Sequence, residues 1–157
     1  MSRTIALTFL FLMSLAAYSQ KKKEIRKYKI KSVTITDIEN GKTLNDSKTV
    51  FDPNGEAAEE INYDKDGSLK SHHKYKMNAQ GDITEDNEYN KEGLKEKKII
   101  RYNSNGTKAE ELIYDKHEKL LKRHVYTYDG KGLKTERKTY DGANNVISVK
   151  KYAYEYK

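Results

Sequence analysis

The sequence predicts an all-β protein, an antiparallel meander of about ten strands built from tandem hairpin repeats, as a single layer or a coiled repeat sheet. Three observations carry that reading. A five-residue phrase (aromatic, Asp or Asn, two variable residues, Gly) recurs with substitutions eight times from residue 51 onward. Between its copies the residues alternate with period two, the pattern of strands and not of helices. The chain is also polar, 35% hydrophobic and 35% charged, below the ~45–50% apolar share of ordinary globular domains. Its aromatic content is concentrated in 13 Tyr against 3 Phe and 0 Trp. A length of 157 residues suits one domain or an array of small units.

In chain order, the first segment stands apart from the fold. Arg3 precedes an apolar run from Ile5 to Leu15, and the small residues Ala17 and Ser19 flank a cleavage point before Gln20. This is the layout of a secretory signal peptide over residues 1–19. The run is short of the ~20 apolar residues a membrane span needs, and with no Cys behind it a lipid anchor is chemically excluded. Cleavage removes only Arg3 among the charges, taking the net charge from +7 to +6. Residues 20–27, rich in Lys, read as a solvated, disordered basic stub. The repeat domain occupies residues 28–157.

Tyr28 to Asp37 reads as the first strand, with β-branched Val33, Thr34, Ile35 and Thr36. Glu39-Asn40-Gly41 turns it, and Lys42 to Val50 leads into the first phrase. Phrases then start at Phe51, Tyr63, Met77, Tyr89, Tyr102, Tyr114, Tyr128 and Tyr140, with strands between them and a last strand at Val146–Tyr156. Alternate copies are 26, 25 and 26 residues apart in both series. The unit is therefore a pair of phrases, two strands and two turns, beginning at about 51, 77, 102 and 128. Asp or Asn at the second position can bond the backbone two residues on and start a turn. Gly at the fifth supplies the positive φ of a short hairpin loop with a bulge. Asn144 can replace it; Glu118 cannot do so freely, so its turn should be strained or differently shaped. Along one strand, Leu69, Ser71, His73, Tyr75 and Met77 should share a face and Lys70, His72, Lys74 and Lys76 the other.

Charge alternates by strand. Strands after odd phrases are acidic (Glu59, Glu60; Glu85, Asp86, Glu88; Glu110, Glu111) and strands after even phrases basic (Lys74, Lys76; Lys95, Lys97, Lys98; Lys122, Arg123). Such strands pair acid with base across the ladder, each pair contributing roughly 0.2–1 kcal/mol. The pattern fails at the C-terminal end, where Lys134, Arg137, Lys138, Lys150 and Lys151 face only Glu136 and Glu155, so a basic patch belongs there. The recurring Tyr, with Leu69, Ile83, Leu94, Ile100, Leu112, Leu120, Leu133 and Val146, should form one continuous apolar face. That face must meet itself by coiling or await a partner.

Several chemistries are excluded or unsupported. Zero Cys removes disulfides, thiolate metal sites and a cysteine nucleophile. His72 and His73 are adjacent on a strand and point to opposite faces, so they cannot chelate one metal. Asp64 and Asp66 resemble half a calcium loop without its distal Glu, which turn chemistry explains better. No phosphate loop or nucleophile elbow is present. The reading is therefore not an enzyme, with no cofactor and no metal. The candidate binding residues are Tyr63, Tyr89, Tyr102, Tyr114, Tyr128 and Tyr140. They serve as strand-end staples, as a row of aromatic platforms for sugar rings, or both.

The phrase in Tyr63-Asp64-Lys65-Asp66-Gly67-Ser68-Leu69 and Tyr128-Asp129-Gly130-Lys131-Gly132-Leu133 resembles the YD repeat of RHS-type bacterial surface proteins, over residues 51–156. The resemblance implies a hairpin-repeat fold. Large members build hollow β-shells around toxins and some are linked to carbohydrate binding, but this chain is too short to enclose anything and has no toxin domain after its repeats. It is also similar to the short exported hairpin-repeat proteins common in Bacteroidetes-type genomes. The expectation is an exported module (periplasmic, cell-surface or secreted), binding an envelope or secreted protein. Alternatives are a polysaccharide-binding module using the Tyr row and a small immunity- or antitoxin-like repeat protein. Nucleic acid and a stable membrane anchor are not expected.

Overall fold

The computed structural model describes residues 22–39 and 41–156; the expected signal peptide, and the first residues of the stub, lie outside them. The chain forms one sheet of ten antiparallel strands in sequence order: β1 (Ser32–Glu39), β2 (Lys42–Phe51), β3 (Ala57–Tyr63), β4 (Leu69–Met77), β5 (Ile83–Asn90), β6 (Gly93–Tyr102), β7 (Lys108–Asp115), β8 (Leu120–Tyr128), β9 (Lys134–Asp141) and β10 (Val146–Lys151). Packing runs between sequence neighbours, and the sheet does not close into a barrel, so among the described residues β1 and β10 are open edges. The expected last strand ran to Tyr156; β10 stops at Lys151, and Tyr152 keeps one ladder bond, its N–H donating to the Thr135 carbonyl at 3.0 Å.

The turns follow the phrase. At Asp52, Asn78, Asp115, Asp129 and Asp141 the side-chain Oδ1 accepts the backbone N–H two residues on and again four residues on, at 2.8–3.0 Å. The fifth position carries positive φ at Gly55, Gly67, Gly81, Gly93, Gly106 and Gly132. Each phrase is followed by a one-residue bulge. Tyr63 pairs with Leu69 while Asn62 pairs with Ser71, which leaves Lys70 extra, and Ala109, Leu121 and Thr135 are extra in the same way. The bulge carries Leu69 off the face expected for it. Ser71, His73, Tyr75 and Met77 remain together on the other.

The Glu118 turn has the same shape as its neighbours: the Glu118 N–H donates to Asp115 O at 3.1 Å, and φ is 60°. The expectation of a different shape is thus corrected, while that of strain stands, since a side chain in the left-handed region costs roughly 1–2 kcal/mol. Glu118→Gly is expected to stabilise the protein by about 1 kcal/mol, read as a higher urea midpoint with unchanged m-value. The exposed ion pair with Lys97, at 3.6 Å, offsets little of this.

Residues 22–27, expected as a disordered stub, are helical. Composition alone would not hold so short a helix; tertiary contact does. Ile25 is buried, at 6% exposure, and Lys22 pairs with the buried Glu56. The helix rests on Gly55, where an added Cβ would lie 3.0 Å from Arg26 Cγ and 3.1 Å from the Lys22 carbonyl. It covers the turn end of β2–β3.

Burial is sparse. In the sheet, the buried aliphatic side chains are Leu112 and Ile113, at 8% and 9% exposure, neighbours on β7 that point to opposite faces. Neither face is continuously apolar, and the expectation of one such face is corrected. Both carry ion pairs among their aliphatic groups, as the strand alternation predicts: Lys76–Glu85 at 2.9 Å, Lys95–Glu88 at 2.6 Å and Arg101–Glu110 at 2.7 Å.

Candidate functional site

The six candidate tyrosines fall into two sets on opposite faces and at opposite ends of the strands. Tyr63, Tyr89, Tyr114 and Tyr140 share one face. The register runs Ile61–His72–Tyr89, then Asn87–Lys97–Tyr114, then Leu112–Arg123–Tyr140, so each Tyr sits two residues along from the last. With strands ~4.8 Å apart and a rise of ~3.4 Å per residue, neighbours in this diagonal are about 12 Å apart. Each is paired with an aliphatic residue across its hairpin: Leu69, Leu94, Leu120 and Val146. These are aromatic–aliphatic staples of the kind that stabilise sheets.

Tyr102 and Tyr128 lie on the other face, at the other turn end, and belong to a series with Phe51 and Met77. Their hydroxyls donate back to the carbonyls of the first residues of the preceding strands, Tyr102 to Ile83 at 2.9 Å and Tyr128 to Lys108 at 2.8 Å. Burial pushes both hydroxyl pKa values up. Tyr154 repeats the contact one unit on, donating to the Lys134 carbonyl at 2.9 Å. It was missed in the sequence because it lacks the Asp-x-x-Gly that marks the others.

Ionisable groups line the middle of this second face. Tyr75 donates to Glu60 at 3.0 Å, and burial, then Glu60, raises its pKa. His73 Nδ1 lies 2.8 Å from Asp86, and on the opposite face His72 Nε2 lies 2.7 Å from Glu59. Each histidine is thus occupied by a carboxylate across the ladder. Among the described residues no three His or carboxylate side chains converge to hold a metal ion.

The C-terminal end of the second face is different. Tyr126 of β8 pairs with Arg137 of β9, which pairs with Lys150 of β10; one step along, Tyr128 pairs with Lys134. The Lys134 ammonium lies 4.7 Å from the Tyr126 ring centre and 5.5 Å from that of Tyr152, and Lys108 reaches Tyr126 at 6.0 Å. Such contacts are attractive by ~0.5–1 kcal/mol when exposed. Arg137 Nε is buried and has no hydrogen-bond partner among the described residues. Among the described residues no carboxylate oxygen comes within 4.0 Å of the Lys134, Arg137 or Lys150 nitrogens. Glu136 faces the other side with Lys138, at 3.2 Å. Glu111, on the patch's own face, is taken by Lys108 at 2.9 Å. Burial holds the pKa of the adjoining His124 below its usual value and raises that of Tyr126. The charge excess was visible in the sequence as Lys134, Arg137 and Lys150. Tyr126 and Tyr152 were missed because they lie outside the phrase.

No protein-family model matches the chain, and no curated protein matches it. Among solved structures, a protein of unknown function from Bacteroides fragilis is similar at 14% identity and a TM-score of 0.42, over 80% of this chain and 96% of that one. TarM is similar at 14% identity and TM-score 0.34, over 87% of this chain and 24% of TarM. An S. aureus TarM mutant in complex with fondaparinux, α-GlcNAc-glycerol and UDP gives 13% and 0.33 over the same shares. The chain spans about a quarter of the length of the TarM chains it matches.

Proposed function

We propose that this protein is a non-catalytic binding module, exported to the cell envelope, that docks an envelope or secreted protein by adding one of that protein's strands to its β1 edge. The observation that carries this is the open edge itself. Among the described residues no strand pairs with the outer side of β1, and Val33, Ile35 and Ile38 are exposed there, Ile38 at 75%. Natural sheets guard such edges with lysine, proline or an inward charge, and Ser32–Glu39 contains neither Lys nor Pro. The opposite edge is better guarded, by Lys150 and Lys151. Strand addition draws affinity from main-chain bonds and specificity from alternate side chains, which suits a sheet with so little apolar surface to offer. The layout of residues 1–19 supports export.

The test is a photo-crosslinking residue at Ile38, compared with one at Lys97 in mid-sheet, in cells of the source organism. Adducts with a discrete exported protein are expected from Ile38 and not from Lys97. Equal labelling from both positions, or none from Ile38, would overturn the reading. An adduct between two copies would replace the partner with self-association. The polysaccharide alternative, as a single row of six tyrosines, loses its geometry because the six divide between two faces.

A further inference from the structure

We infer that the C-terminal end of the second face, built from Tyr126, Lys134, Arg137, Lys150 and Tyr152, is a binding site for an acidic polysaccharide, one carrying a carboxylate or sulfate on its sugar rings. This goes beyond the edge-docking reading and uses different residues on a different surface, so each can fail without the other.

The argument begins with charge. Elsewhere in the sheet several cations are taken up by carboxylates on adjoining strands: Lys98 by Asp86 at 3.7 Å, and Arg101 and Arg123 by Glu110 at 2.7 and 3.4 Å. At this end three cations stand together without a carboxylate within ion-pair distance, among the described residues. Arg137 and Lys150 are directly opposed across the β9–β10 ladder, an arrangement that is destabilising in the free protein. An anion placed between them converts that repulsion into attraction. The buried Arg137 Nε–H lacks an acceptor among the described residues, and a buried donor left unpaired calls for an explanation such as an ion.

Shape and spacing then select the class of anion. Adjacent strands and successive rungs place the backbones of the three cationic residues about 5–8 Å apart, in a cluster confined to one corner of the sheet. Duplex nucleic acid carries a charge every ~1.7 Å and single strands need a cationic groove to follow. Beyond the patch the same face carries paired charges, Glu88 with Lys95 and Asp86 with Lys98, so no cationic groove continues for a polyphosphate to follow. A polymer with one anionic group per sugar ring is matched by a small cation cluster of this kind and needs no extended groove. Tyr126 and the part-exposed Tyr152 flank Lys134 and give flat apolar surface with a polar rim, the combination suited to a sugar ring. Guanidinium groups match carboxylate and sulfate oxygens in paired hydrogen bonds.

The test is calorimetric titration of the purified protein with polygalacturonate, neutral dextran and single-stranded DNA, at about 0.15 M salt. Saturable binding of polygalacturonate alone is expected, weakened at least about tenfold by Arg137→Gln and by Lys134→Gln. Lys76→Gln, which removes the same charge from the Lys76–Glu85 pair, should leave binding within about twofold of the original. Tyr152→Ala, at an exposed position, provides an independent reading should Arg137→Gln fail to fold. Three results would overturn the site: no saturable binding of polygalacturonate, equal weakening by Lys76→Gln, or single-stranded DNA bound as tightly as the polysaccharide.

Discussion

Leu112→Ala is expected to destabilise the protein by about 2–4 kcal/mol and to split its unfolding into two transitions. Leu112 sits between Ile99 and Arg123 on one face of β7, with Ile113 behind it between Lys98 and Lys122 on the other. These are the buried aliphatic side chains of the sheet, and they lie near its middle. A domain's whole stability is ~5–15 kcal/mol, so this loss is a large fraction of it. In an array whose units touch only their neighbours, stability is a sum of unit and interface terms. Weakening the central interface therefore uncouples the strands before β7 from those after it. Urea denaturation followed by hydrogen exchange is expected to show two midpoints in the variant and one in the original protein. Val146→Ala, at a position 53% exposed, should cost less than about 1 kcal/mol and leave one transition.

Gly142→Ala is expected to cost about 2–3 kcal/mol, although φ at this glycine is not in the left-handed range. The reason is contact. A Cβ at Gly142 would overlap the carbonyl oxygen of Leu120, backbone against backbone, where no side chain can swing aside. Accommodation requires β8 and the β9–β10 turn to part, which should appear as faster amide exchange in both strands. Gly130 holds the same third position of its phrase and has open space around it. Gly130→Ala is therefore expected to be neutral or stabilising by up to ~1 kcal/mol.

The contrast between these two glycines marks where the sequence stops being legible. Turn positions and strand number follow from local chemistry: an Asp or Asn that bonds two residues on, and a residue that accepts positive φ. These are readable one phrase at a time. The distribution of side chains between faces is not, because it depends on parity summed along the chain. Tyr102 and Tyr114 are twelve residues apart, an even step that would place them on one face; the bulge at Ala109 makes the step odd. The helix at residues 22–27 was invisible for another reason. Its sequence is mostly charged, and what holds it is the fit of Ile25 and Lys22 over Gly55 and Glu56, some thirty residues away. Of the C-terminal patch, the cations could be picked out by counting charge. Their company with Tyr126 and Tyr152 requires the register.

The open meander also has a mechanical consequence. The chain enters the sheet through β1 at one edge and leaves through β10 at the other, so tension between those edges loads the outermost strands first. Antiparallel ladder bonds run across the strands, and a strand peeled from its corner breaks them one after another instead of all together. Each hairpin unit released yields about 25 residues, roughly 80 Å of extended chain, at modest force, and re-pairs locally through its own turn when the load falls. A surface-tethered sheet of this build would act less as a rigid strut than as an extensible link between whatever holds its two edges.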